Sequence, residues 1–412
     1  MKKAEIITIG DELLIGQVIN TNAAWIAAEL NAIGIEVIRM TSVGDVLTDM
    51  LDAMKEASAR ADLILMTGGL GPTKDDITKT ALCDFFGARM RFNETVFQQV
   101  QALLQQRGFP MRDSSRSQAF VPEGCRPVQN SVGTAPGMWF EKTDRIYIVM
   151  PGVPFEMKAM MTDHILPCLK ARFKGDFILH KTILTTGAGE SQISEMVSSW
   201  ESALPPSIRL AYLPQPGLVR LRLSARGTDP GELQNAVADQ VQRLQRIIPD
   251  LIFGYDDDSL EGVIGKRLAE IHQTLATAES CTGGYIAHLI TGIPGSSQYY
   301  VGSIISYANS VKELELGVRP ESLHQFGAVS EQVVTQMALG IRERFGVDYA
   351  IATSGIAGPD GGTPEKPVGT VWLAVASPAG TVAQKFFFND DRQRFIHRTS
   401  LAALNMLRRE IG

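Results

Sequence analysis

The chain is poor in the residues that simple assignments need. Its four cysteines, Cys83, Cys125, Cys168 and Cys281, stand far apart with no CxxC pair, and the six histidines add no finger-type spacing. A disulfide framework and a structural zinc site are therefore not expected, and a reduced, cytoplasmic protein is. Basic charge is not in excess either: 39 Lys+Arg against 45 Asp+Glu leave a formal net charge of -6. Without a positive field to displace counterions, nucleic acid is not an expected partner. No apolar run approaches the roughly 18 to 20 residues of a membrane span, and that of MKKAEIITIGDELL is too short for a secretory core, so no membrane is expected. No repeat of 20 to 50 residues is present.

What is present is a globular composition, 44% hydrophobic and 20% charged, over 412 residues, enough for two or three domains. The expected fold class is α/β: two α/β domains with largely parallel sheets joined by a small α+β connector. Residues 1–165 alternate strand and helix patterns: AEIITIG, then NAAWIAAELNAIG with Asn22 as a candidate N-cap, then IEVIRMTSVGD, MLDAMKEASAR and ADLILMTGG. Strands separated by helices of this length predict a parallel sheet covered on both faces. Residues 166–252 change texture: KTILTTGAGES and GLVRLRLSARG read as strands, ELQNAVADQVQRLQRII as a long amphipathic helix. Residues 253–412 return to βαβ alternation and end in the hairpin GTVWLAVASPAGTVAQKFFF and a final helix. The three pieces read as independent folding units.

Three glycine-rich turns carry chemistry. In TAESCTGG, Ser280 falls at the end of a strand, where ligands collect in open α/β sheets, and Thr282, Gly283 and Gly284 lead into a helix. Capping of that helix by Ser280 or Thr282 is the plainer alternative. A serine nucleophile needs a base, and no G-x-S-x-G elbow or suitably placed histidine accompanies it. Lys312, one turn into the helix after YYVGSIISYA and on the same sheet edge, is the better base, provided its pKa falls from about 10.4 toward 7 or 8. Cys281 is the second candidate nucleophile, and buried packing is its alternative. In SGIAGPDGG, Gly355 and Gly358 belong to a further turn suited to a phosphate or an amide; a tight loop is its alternative. Arg394, with Arg392 or Arg398 in its place, is a candidate substrate contact. In TGGLGPTKDD, Gly68, Gly69 and Gly71 form a second strand-to-helix turn. Asp75 and Asp76 either cap its helix or hold a divalent ion.

TAESCTGG, YYVGSIISYANSVKELELGV, ATSGIAGPDGG and KPVGTVW together resemble the C-terminal domain of the CinA (competence/damage-inducible) family, a nicotinamide mononucleotide (NMN) deamidase, over residues 255–412. The resemblance implies hydrolysis of the NMN amide to nicotinic acid mononucleotide and ammonia, with Ser280 as nucleophile, Lys312 as base, Tyr307 beside them and no cofactor. The turn at 67–82 resembles molybdopterin-binding domains, whose loop usually reads TGGTG where this chain has Leu70. With GDELLIGQVINTNAAWIAAEL and MPGVPFEMKAMM, the first domain resembles that of full-length CinA proteins. This implies metal-dependent cleavage of ADP-ribose to AMP and ribose 5-phosphate, using Mg²⁺ or another divalent ion, with Asp76 as the functional acid and Asp45 as a second ligand. Glu12, Asn20, Asn22 and Glu156 are further polar residues of the matching motifs, and Pro151 and Pro154 shape a turn. The middle piece resembles the KH-like connector, but GAGES is not a GXXG clamp, so a spacer or homodimer element is expected there. A molybdopterin-binding protein and a non-enzymatic competence or DNA-repair accessory are the alternative readings.

Overall fold

The computed structural model describes residues 2–71, 77–173, 175 and 177–412. Asp75 and Asp76 lie outside the described residues. The contact pattern divides the chain into two compact units rather than three: Met1–Leu179 with Ala225–Asn235, and His180–Ser224 with Ala236–Gly412.

In the first unit a six-stranded sheet runs in the order Glu36–Val43, Lys3–Ile9, Leu63–Thr67, Arg145–Met150, Gly137–Lys142, Arg126–Val128. The first four strands are parallel and the last two continue antiparallel. The two faces follow from the period of two along each strand. Ile6, Leu65 and Ile148 point to one face, where Ile26, Leu30 and Met157 cover them; Ile7, Ile64, Met66 and Val149 point to the other, under Met50, Met54 and Leu82. A sheet buried on both sides needs near-continuous apolar strands, and Leu63–Thr67 is buried at every residue. The helix Thr21–Ala32 starts two residues earlier than expected. Its cap is Asn20, whose side chain accepts from the Ala23 N–H at 3.0 Å, and not Asn22. Asn22 instead turns toward the sheet edge and donates to the Gly152 carbonyl at 2.7 Å.

The second unit holds a five-stranded sheet and most of a four-stranded one. A four-stranded sheet runs in the order Ile208–Gln215, Leu218–Gly227, Phe177–Thr186, Ile252–Tyr255. A five-stranded sheet follows the order Tyr300–Ile305, Leu275–Glu279, Tyr349–Gly355, Thr370–Ser377, Gly380–Phe387, parallel across the first three strands and antiparallel beyond. One face of the latter is lined by Ala276, Ala278, Ala350, Ala352, Ala374 and Ala376. These small side chains let the helix Glu331–Phe345 pack through Val334, Met337 and Ile341. The opposite face, with Leu275, Ile351 and Leu373, is covered by Phe395, Leu404 and Leu407 of the helix Arg392–Ile411. Leu184, Leu218 and Phe253 from the four-stranded sheet join that same cluster. Through these three residues the middle piece packs onto the hydrophobic core of the last domain. No helix among the described residues is long and apolar enough to cross a membrane.

Candidate active site

Ser280 is the residue directly after the central parallel strand Leu275–Glu279, at its carboxyl end. Its N–H donates to the Thr353 carbonyl at 3.1 Å, which fixes it to the neighbouring strand. The turn that follows is organised by a residue the sequence reading passed over. Glu279 is fully buried, and its carboxylate accepts the N–H groups of Gly284, Ile286 and Ala287 at 3.0, 3.1 and 2.8 Å. The first turn of the helix Tyr285–Thr291 is thus satisfied by Glu279, and neither Ser280 nor Thr282 caps it. Thr282 instead pairs its hydroxyl with that of Thr353 at 2.9 Å. Gly283 and Gly284 have φ of +60° and +95°, a left-handed pair that needs no side chain. Ser280 is left with its hydroxyl free of capping duty.

Lys312, on the helix Asn309–Leu316, is 1% exposed and brings its Nζ to 3.2 Å from Ser280 Oγ. The same nitrogen donates to the Ser306 carbonyl at 2.6 Å and the Tyr307 carbonyl at 3.3 Å. Lys312 takes part in none of the described ion pairs, and burial holds its pKa below the ordinary lysine value. Nζ thus has three oxygen neighbours; once neutral, the amine keeps two N–H groups for the two carbonyls and has a lone pair for the seryl hydroxyl. Cys281 is buried too, and burial pushes its thiol up to about 12, so no thiolate forms near neutral pH.

These residues floor a cavity of about 230 Å³ whose lining includes Ser354, Gly355 and Ala357. Its exposed rim is Tyr307 and Arg392. Arg392 donates to the Tyr307 hydroxyl at 2.9 Å and to the Gly358 carbonyl at 2.7 Å. Tyr307 thus holds Lys312 through its main chain while its ring hydroxyl faces Arg392. The expected arginine changes: Arg392 lines this cavity, whereas Arg394 pairs with Asp391 at 3.3 Å and lines a different one with Arg398. Gly358 contributes its carbonyl, and Ser354, not singled out from the sequence, anchors its hydroxyl on the Ala328 carbonyl at 2.7 Å.

The first unit has a larger cavity, about 680 Å³, at the carboxyl ends of its parallel strands. Gly68, Gly69 and Gly71 line it together with Glu12, Asn20, Asn22, Asp45, Pro151, Pro154 and Glu156. Gly68 has φ +123°, and a Cβ there would lie 2.2 Å from the Ile9 carbonyl oxygen, so the turn excludes any side chain. Asp45 exchanges backbone-to-carboxylate hydrogen bonds with Asp11, at 3.3 and 3.2 Å. Glu156 accepts from the Asn130 amide at 2.7 Å, and burial raises its pKa above the usual carboxylate range. The oxygen-rich lining is of the type hard cations take. Among the described residues, however, no three acids, histidines or cysteines converge on one point. The described donors alone do not make a metal site.

Three family models match successive parts of the chain: "Probable molybdopterin binding domain" over residues 5–171, "Damage-inducible protein CinA KH domain" over 180–254, and "CinA C-terminal domain" over 257–411. A CinA-like protein of Flavobacterium psychrophilum is 47% identical over 411 residues, spanning 99% of this chain and 98% of that one. One from Cytophaga hutchinsonii is 45% identical over 408 residues, with the same coverage. Among solved structures, the competence/damage inducible protein CihA of Agrobacterium tumefaciens is 37% identical. It covers 37% of this chain and 96% of its own, with a TM-score of 0.35.

Proposed function

The chain belongs to the CinA family, and from that premise we propose that its C-terminal domain hydrolyses the amide of NMN by a Ser-Lys mechanism. The observation that carries this reading is the buried Lys312 Nζ, 3.2 Å from Ser280 Oγ and hydrogen-bonded to the Ser306 and Tyr307 carbonyls. The neutral amine takes the seryl proton as Oγ attacks the amide carbon. The tetrahedral oxyanion that forms is met by the turn after Ser280. There the Gly283 and Gly284 amides are already committed to Ser280 and Glu279, which leaves those of Cys281 and Thr282 as donors. On collapse the C–N bond breaks, the Lys312 ammonium returns its proton to the leaving nitrogen, and ammonia departs. Water then attacks the ester, with Lys312 again as base, to release the carboxylate and restore Ser280. Arg392 at the rim suits the phosphate of the nucleotide, as the floor suits the amide.

For the first domain we propose, from its likeness to full-length CinA proteins, cleavage of the ADP-ribose diphosphate in the 680 Å³ cavity; a divalent ion, if used, would be held by Asp45 together with Asp76, which lies outside the described residues. A molybdopterin ligand is the competing occupant of that cavity, favoured by the family model over residues 5–171. Product analysis of the full chain with NMN and ADP-ribose in parallel tests both halves. Ser280→Ala and Lys312→Met are expected to slow ammonia release by at least about 10³-fold, in line with the loss of nucleophile or general base, while ADP-ribose cleavage continues. EDTA and Asp76→Ala are expected to do the reverse. Ammonia release at the wild-type rate by Lys312→Met rejects the Ser-Lys assignment, and a chain that binds pterin but leaves ADP-ribose intact rejects the second.

A further inference from the structure

A second cavity in the C-terminal unit, of about 550 Å³, lies between the turn Gly187–Gly189 of the four-stranded sheet and the helix Arg392–Ile411. It shares no lining residue with the Ser280 cavity. Arg394, Arg398, Asn405 and Arg409 line it from a single face of that helix, at helical spacings of 4, 7 and 4. Their donors are only partly used. Arg398 pairs with Asp390 at 2.6 Å through one terminal nitrogen, but its Nε is buried with no partner. Asn405 is 7% exposed and accepts from Arg408 through Oδ1, which leaves its amide nitrogen as a donor. Arg409 takes part in none of the described ion pairs. Both the Arg409 and the Asn405 nitrogens stand in front of Gly187, where an added Cβ would come within 3.2 and 3.4 Å of them. Glycine there, at φ +92°, keeps open the space that these donors address.

Two aromatic rings line the cavity as well, and the Arg398 guanidinium lies over one of them, 4.6 Å from the centre of Phe388. Phe386 and Phe388 lie 5.8 Å apart with planes 24° from parallel. The amide and guanidinium donors of Asn405 and Arg409 at Gly187, with aromatic rings in the same lining, fit a ligand with an anionic group and a flat aromatic one, and the volume is in the range of small-molecule sites. We propose that this cleft is a second ligand site that binds a nucleoside phosphate, with the phosphate over Gly187 between Asn405 and Arg409 and the base against the phenylalanines. The helix that holds this ligand also lends Arg392 to the rim of the Ser280 cavity.

Equilibrium dialysis of the full chain with labelled AMP tests the assignment, with inorganic phosphate as competitor and with Arg409→Ala and Arg409→Glu as variants. The exposed Arg409 leaves the fold intact on substitution, which circular dichroism verifies. The wild type is expected to bind one AMP more than Arg409→Glu, with at least about tenfold weaker binding at that site in Arg409→Ala, and phosphate is expected to displace it. Identical isotherms for all three proteins overturn the proposal, as does a wild type that binds no AMP.

Discussion

Replacing Glu279 by alanine should unravel the turn that presents Ser280. Its carboxylate holds three backbone N–H groups at 2.8 to 3.1 Å in a fully buried position. Hydrogen bonds to a charged acceptor contribute about 1.5–3 kcal/mol each, so three at the low end total about 4–5 kcal/mol. Water entering the vacated space recovers part of this, which leaves a local loss of about 3 kcal/mol. Glu279→Gln keeps one carbonyl oxygen but turns an NH₂ toward an N–H, and is expected to lose about 2 kcal/mol. Because a chain of two units does not unfold in one step, the suitable assay is local: amide hydrogen exchange in a peptide covering residues 280–291. A loss of about 3 kcal/mol corresponds to about 100-fold faster exchange there, at a factor of ten per 1.4 kcal/mol, with peptides of the first unit unchanged. Ammonia release should fall in the same order, alanine below glutamine. Exchange in the alanine variant within about threefold of wild type would mean that the three bonds hold nothing in place.

Lys312 acts as a base only when neutral, and burial lowers its pKa, so ammonia release should rise with pH through that lowered value and fall on acidification. The folded chain should also gain stability between the lowered pKa and the ordinary 10.5, the window in which the unfolded lysine still binds a proton that the folded one has lost. A rate that does not fall toward acid removes Lys312 from the mechanism. Cys281→Ala should keep ammonia release within a few-fold, and iodoacetamide at neutral pH should leave the enzyme active, because the buried thiol stays protonated. Rapid inactivation by the reagent with modification mapped to Cys281 would contradict this. Gly68→Ala places a Cβ 2.2 Å from a backbone oxygen and should cost about 2–4 kcal/mol, read as a lower Tm of the first unit, while ammonia release persists. An unshifted Tm would show that the turn tolerates the side chain.

Much of the site was legible because parallel α/β sheets bring strand ends together. TAES and YYVGSIISYA end on adjacent strands, so Ser280 and Lys312 share an edge. Glu279 escaped notice because it sits inside a strand pattern, where an acid reads as an edge residue; its partners lie five to eight residues on, beyond the three-residue reach of the usual capping signal. Arg392 and Arg394 were indistinguishable in sequence, yet two helical residues differ by about 200° in direction, which sends them into different cavities. Asn22 was the expected cap of its helix, but Asn20, two residues earlier, caps it, and Asn22 turns to the Gly152 carbonyl. Amphipathic patterns also mark a buried face without naming what covers it. The sharing of one core by the middle sheet and the last domain was therefore invisible.

That common core bears on how the protein is dissected. Leu184, Leu218 and Phe253 are the lid over one side of the last domain's interior, so a truncation that starts at residue 255 strips it away and bares greasy side chains to water. Such a fragment is expected to self-associate on a sizing column, whereas one that begins at Phe177 carries its own cover and stays dispersed.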